Sequence, residues 1–243
     1  MAIFDRLLNI KKNSGPVKNR NPLHIALTMQ GTKKWMDKNP GKDVAKLRLQ
    51  KVDEIMIYGL KQNIPVMTFF LLPAAEFRQE AIPGYQPALS LYFQQLLASS
   101  ILHDNQVRVS FLGRWYDLEP EVIEGIKSLL NATTEYDKFF VNFCINYNGR
   151  SELTNAVKLL VKQAEAKKLT ADNVTEELIK DSLYSSALLP PELVIKTGEK
   201  RFTSLLLWDT PGALVYFTDK AWMDFSTSEF DRAIDFFHKE GKV

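Results

Sequence analysis

Two lysines behind a glycine, in the stretch 29–35 (MQGTKKW), are the first residues along the chain with the means to do chemistry. Gly31 permits a tight turn. Thr32, Lys33 and Lys34 then open a helix, where backbone N–H groups and ammonium groups together make an anion site suited to a diphosphate. A solvated helix start is the alternative reading of the same lysines. A second basic stretch, 194–208 (VIKTGEKRFTSLLLW), sets Lys196, Lys200 and Arg201 around Thr197, Gly198 and Thr203. Three cations, two hydroxyls and a flexible glycine suit two phosphates held by charge-assisted hydrogen bonds. A surface loop that is merely basic is the alternative there. A third stretch, NYNGR at 146–150, ends on Arg150, which reads as a brace that pairs with a carboxylate.

Other familiar chemistry is missing. The chain has no G-x-G-x-x-G, Walker loop, H-E-x-x-H, C-x-x-C or G-x-S-x-G, and His24, His103 and His238 lack metal-ligand spacing. The one cysteine, Cys144, sits in an apolar run and reads as a buried thiol. A formal charge of +2 does not imply a nucleic-acid partner. No window approaches a membrane span and no cleavable leader is visible, so the chain reads as cytoplasmic.

The elements that must position these groups follow from periodicity. Short apolar runs predict strands at His24–Met29, Val66–Leu72, Val107–Leu112, Phe139–Asn146, Leu193–Lys196, Leu205–Trp208 and Leu214–Phe217. Helical patterns lie between them, at 44–62, 87–103, 119–132, 151–168 and 175–184, with a last one at 228–239 capped by Thr227 or Ser228. This alternation predicts an α/β fold: one central, mostly parallel sheet of six or seven strands flanked by helices. Ligands of such sheets bind at the carboxyl ends of the strands, which directs attention to 30–35, 73–77, 146–150 and 197–203. Residues 1–22 read as an N-terminal arm, either a loose terminus or a peripheral membrane contact, and 23–243 as one domain. The segment 81–87 (AIPGYQP) reads as a mobile connection near the ligand end of the second strand, or as a plain surface loop.

In this order the segments resemble undecaprenyl diphosphate synthase and its cis-prenyltransferase relatives, from about residue 22 to 242. The family's H-x-A-x-x-M-D-G-N-G-R-W appears as HIALTMQGTKKW, its N-Y-G-G-R as NYNGR, its I-R-T-G-G-E-x-R-x-S-N-F-L-L-W as IKTGEKRFTSLLLW, and its E-L-Y-F-T-D-x-x-W-P-D-F as LVYFTDKAWMDF. The resemblance implies an isoprenyl diphosphate pocket built from Gly31, Thr32, Lys33, Lys34, Lys196, Arg201 and Thr203. It also implies magnesium, but the family's metal-binding aspartate falls on Gln30, and the glutamate completing that site across a dimer falls on Leu214. A neutral amide and a leucine are poor magnesium ligands, so no metal site is assigned. Lys34 and Lys196 stand where the family has arginines. The asparagine that assists proton removal falls on Glu76, within LPAAEF at 72–77.

Two functions are carried forward from the resemblance. One is a diverged prenyltransferase that binds and transfers or converts isoprenyl diphosphates, with Gln30, Lys34 and Glu76 as its catalytic positions. Its prenyl tunnel would be lined by Leu89, Tyr92, Phe93, Leu96 and Leu97, for which ordinary core packing is the alternative. The other is a catalytically silent accessory subunit of a two-chain prenyltransferase. A homodimer or heterodimer is implied either way, and Lys239 and Gly241 match the family's tail motif that reaches the partner subunit.

Overall fold

The computed structural model describes residues 9, 10, 12, 15 and 20–241. Of the expected arm, residues 1–8, 11, 13, 14 and 16–19 therefore lie outside the described residues. Arg20, near its end, is tied to the body of the fold by a two-pronged contact with Glu192, both at 2.7 Å.

The first half runs β1 (His24–Thr28), α1 (Thr32–Lys38), α2 (Val44–Lys61), β2 (Val66–Pro73), α3 (Ala74–Arg78), α4 (Tyr85–Ala98), α5 (Ser100–Asp104), β3 (Val107–Leu112) and α6 (Pro120–Ala132). The second runs β4 (Phe139–Tyr147), α7 (Gly149–Glu165), α8 (Glu176–Asp181), β5 (Leu193–Thr197), β6 (Leu214–Thr218) and α9 (Thr227–Glu240). The six strands form one sheet in the order β3-β4-β2-β1-β5-β6, and every neighbouring pair is parallel. The α/β reading of a single domain with a parallel sheet therefore holds, with six strands.

β2 and β4 are buried along nearly their whole length, as expected of strands covered on both faces. Side chains alternate across the sheet. Ile25, Leu27, Phe69, Phe143 and Ile195 join α2, α4, α6 and α9 in the main core, while Ala26, Phe70, Cys144, Tyr147 and Val194 pack with Leu188, Leu205 and Leu206 on the other face. α2 starts where Asp43 accepts a hydrogen bond from Lys46 N at 3.0 Å, and α7 starts where Asn148 Oδ1 accepts from Arg150 N and Ser151 N. No helix of the described residues is long and apolar enough to cross a membrane.

Several local expectations need correction. Residues 205–208 are turns, with Leu206 at φ 45°; Leu205 and Leu206 pack under the sheet while Leu207 is exposed, and LLLW is not a seventh strand. The pattern expected as one helix over 87–103 divides at Ser99, whose extended backbone ends α4 and whose side chain caps α5. α9 is capped by Ser226, whose Oγ accepts from Glu229 N, one residue ahead of the expected cap. Arg150 is exposed and forms no ion pair among the described residues, so it braces nothing.

Candidate active site

The chain reverses its direction of travel across the sheet between β1 and β5, which pair side by side although the three strands of the sheet's other half, β2, β3 and β4, are laid down between them. Crevices at such switch points lie beyond the strand carboxyl ends. Here the loop leaving β1 and the loop leaving β5 touch through two glycines. Gly31 has φ 86° and Gly198 φ 71°, and a Cβ on Gly198 would fall 2.7 Å from both Cα and N of Gly31. Only glycine lets both backbones take this conformation at this approach.

Gln30 is pinned from three sides. Its N–H donates to Thr197 Oγ1 at 3.0 Å, its carbonyl accepts from Trp222 N at 3.0 Å, and its Oε1 accepts from Lys196 Nζ at 2.6 Å. Lys196 is 1% exposed. Burial depresses its ammonium from 10.5 to about 8, opposed in part by the Glu199 carboxylate. No carboxylate lies within ion-pair distance of it among the described residues.

A cavity of about 270 Å³ opens beside Gln30, walled also by Phe70, Pro73, Glu76, Tyr147, Asn148, Thr203 and Ser204. The four segments flagged by the strand-end rule thus meet around one space. A second cavity, about 380 Å³, is lined by Leu72, Phe77, Ile82, Pro83 and Tyr85 and again by Glu76. The segment 81–87 forms its rim. Glu76 is common to both: the smaller chamber sets Gln30, Asn148, Thr203 and Ser204 among Met29, Phe70 and Tyr147, and the larger groove sets its apolar wall beside Glu80, Gln86 and Glu119.

Beneath Glu76 lies Arg48, a buried cation on the inner face of α2 that sequence reasoning missed. Its Nη1 is 3.1 Å from Glu76 Oε2 and donates to Thr32 Oγ1 at 3.0 Å, its Nη2 donates to Leu71 O at 3.2 Å, and its guanidinium lies 5.4 Å from the Tyr85 ring centroid. The signal was available: Ala45, Arg48, Leu49 and Val52 share the apolar stripe of α2, and an arginine there must find acceptors.

The other residues expected at the site are placed as follows. Thr32 is buried in the floor, while Lys33 and Lys34 are exposed on the first turn of α1. Arg201 is exposed on the loop after β5, beside Lys200, whose Nζ is 3.4 Å from Asp219 Oδ1. Leu89, Tyr92, Phe93 and Leu96 are packed into the main core, where Phe93 meets Phe111 at 5.3 Å and Tyr92 donates to Asp53 Oδ1 at 2.8 Å. Leu97 is half-buried on a separate groove between α4 and α6. Leu214 and Gly241 come together at the opposite end of the sheet, around a cavity of about 300 Å³ that also includes Phe237; Lys239, two residues before Gly241, is exposed.

These residues do not fit a magnesium ion. The side-chain oxygen that Gln30 would offer already carries an ammonium at 2.6 Å, and Leu214 brings no donor. No group of three or more His, Cys, Asp or Glu is arranged to hold a metal among the described residues. A dication at Gln30 would have to displace one cation and face its charge.

Comparison with known proteins places this geometry in context. Residues 28–242 match the family described as undecaprenyl diphosphate synthase. An isoprenyl transferase of Chlamydia trachomatis is 30% identical over 235 residues, covering 93% of this chain and 92% of its own. One from Listeria monocytogenes is 30% identical over 217 residues, covering 88% and 86%. Among solved structures, lavandulyl diphosphate synthase from Lavandula x intermedia, in complex with dimethylallyl diphosphate, superposes with a TM-score of 0.83 at 19% identity, covering 90% of this chain and 95% of its own.

Proposed function

The chain belongs to the undecaprenyl diphosphate synthase family, and from that membership we propose that it binds an isoprenyl diphosphate across its two cavities and transfers or converts the prenyl group. The observation that carries this reading is the position of Glu76 between a chamber reached by Gln30, Asn148, Thr203 and Ser204 and a groove of Leu72, Phe77, Ile82, Pro83 and Tyr85. The amide and hydroxyl groups of the chamber can meet a polar head, and the apolar wall of the groove a branched apolar tail.

In the reaction proposed, the allylic C–O bond ionises and the diphosphate leaves with the bonding electron pair. Lys196, with Lys34 on the first turn of α1 and Arg201 on the loop after β5, stabilises the charge that develops on it, and the Thr203 hydroxyl donates to it. The double bond of a second isoprenyl unit attacks the allylic carbon, and Glu76 takes the proton released from that unit. The short tail lies in the groove beside Tyr85. A longer chain requires α4 to lift Leu89, Tyr92, Phe93, Leu96 and Leu97 away from the sheet.

Incubating the purified protein with labelled isopentenyl and allylic diphosphates, with and without magnesium, tests transfer. A chain-extended or condensed product is expected, and no product under any condition overturns it. A second reading, an accessory subunit, is favoured by Leu214 at the position where the resemblance places a carboxylate. Co-purification from the native source would then bring down a second family member that carries the aspartate, and a complex of this chain alone excludes that reading.

A further inference from the structure

Two cations of the described residues are fully buried, Arg48 and Lys196. Arg48 has Glu76 at 3.1 Å. Lys196 has only the neutral Gln30 oxygen for a hydrogen bond, and no carboxylate within ion-pair distance. An ammonium taken out of water without a counter-charge costs several kcal/mol, and an amide dipole returns only part of that. Such a position is normally either neutralised or completed by an anion from outside.

The surroundings are built for the second outcome. Gln30 holds the ammonium in place because its own backbone is fixed at both ends, by Thr197 Oγ1 and by Trp222 N. Gln30 is also a wall of the smaller chamber, together with Thr203 and Ser204, and Lys196 stands directly behind that wall. The Gly31–Gly198 contact removes every side chain that would stand between the two loops at that point. Lys34 on the first turn of α1 and Lys200 and Arg201 on the loop after β5 carry further positive charge, with Lys200 paired to Asp219 at 3.4 Å and the Glu199 carboxylate acting on Lys196.

We propose that Lys196, held on Gln30, is a fixed cation that does the charge-neutralising work of a divalent metal, so that this chain takes a diphosphate head group with no metal present. The inference rests on the reading that the smaller chamber receives a diphosphate. It goes beyond that reading in assigning the counter-charge to one side chain and in making binding independent of magnesium. The amide at Gln30 is essential to the arrangement. A carboxylate there would pair with Lys196 and occupy the ammonium, and it would also attract the dication that the amide does not.

Isothermal titration calorimetry with inorganic pyrophosphate, and with a non-ionisable prenyl thiolodiphosphate, separates the outcomes. The native chain should bind both in EDTA with a Kd within about twofold of that in magnesium. Lys196→Met should weaken binding about 10- to 100-fold, the loss expected for one charge-assisted hydrogen bond. The same variant should melt no lower than the native protein, since it removes an unpaired buried charge; that melt shows it is folded. The double variant Gln30→Asp, Lys196→Met should bind in magnesium and lose binding in EDTA. Native binding that disappears in EDTA overturns the metal-independent site while leaving the diphosphate reading intact. No binding of either probe with or without magnesium overturns both.

Discussion

Arg48 Nη1 lies 3.1 Å from Glu76 Oε2, yet that oxygen accepts no hydrogen bond, and Arg48 Nε also has none. The pair is held by charge in a place where hydrogen bonds are incomplete, at the boundary between the two cavities. Its partners differ in burial. The Arg48 side chain is 0% exposed and that of Glu76 is 26% exposed. Glu76→Gln therefore strands a cation with no access to water, while Arg48→Met leaves a carboxylate that reaches some. In urea unfolding, Glu76→Gln should cost more than Arg48→Met, both within roughly 3–5 kcal/mol. The double variant should return to within about 1 kcal/mol of native, since removing both charges is often neutral. Equal and additive single losses would show that the two charges are not coupled.

Gly198 and Gly212 both have positive φ, 71° and 94°, but differ in surroundings. Nothing lies within 4 Å of a Cβ placed on Gly212, whereas one on Gly198 meets Gly31 at 2.7 Å. Gly212→Ala should therefore cost only the conformational penalty, about 1 kcal/mol. Gly198→Ala adds a backbone collision that no rotamer relieves, so it should cost more than about 2 kcal/mol and weaken pyrophosphate binding as the loops part. Thermal melts of the two variants side by side check the difference, and equal losses would mean that the loops separate freely.

How much of this was legible in the chain depends on which physical rule governs each residue. Alternation of apolar runs with amphipathic patterns fixed the parallel α/β sheet, because strands buried on both faces read as near-continuous apolar stretches, as 66–73 and 139–147 do with only Thr68, Asn142 and Asn146 interrupting them. The run at 205–208 obeys the same rule and is not a strand. A short apolar run reports burial and not backbone shape, and Leu206 at φ 45° is buried in a turn. Gln30 and Lys196 were each visible as residues, yet their 2.6 Å contact joins positions 166 residues apart and depends on β1 and β5 being neighbours. Arg48 went unnoticed because helix periodicity averages over single positions. Its partners, the acceptors Leu71 O and Thr32 Oγ1 and the ion-paired Glu76, come from three other elements.

Lys196 sets a pH dependence for anion binding. Burial lowers its ammonium to about 8, and Glu199 on the adjoining loop counteracts part of that. Affinity for pyrophosphate should fall as pH rises through about 8, as the ammonium loses its proton. Stability of the unliganded chain should change in the opposite sense. Between about 8 and 10.5 the unfolded chain binds a proton that the folded chain does not, so stability rises with pH across that window. Calorimetric titrations and melts from pH 7 to 10 check both signs, and Lys196→Met should flatten both curves. An affinity that holds constant across that range would place the binding charge elsewhere.

His24 sets the acid limit. Its ring is fully buried, with Nδ1–H donating to Leu189 O at 2.6 Å and Nε2 accepting from the Thr68 hydroxyl at 2.8 Å, while Thr68 Oγ1 in turn accepts from Asn142 Nδ2 at 3.0 Å. That chain uses the neutral ring, and burial depresses its pKa from 6.5 to about 4. Between those values the unfolded chain takes up a proton that the folded chain refuses. Stability is therefore fully present above 6.5 and is lost as pH falls through about 4, by up to roughly 3 kcal/mol. Asp53 and Glu152 act in the opposite direction, because burial raises their carboxyl groups and the folded state then favours the proton. The His24 contribution is isolated by comparison with His24→Gln, which keeps an amide donor but cannot titrate. The variant should be less stable at pH 7 and lose less on going to pH 4.5. Parallel acid curves for the two proteins would locate the acid-sensitive group elsewhere.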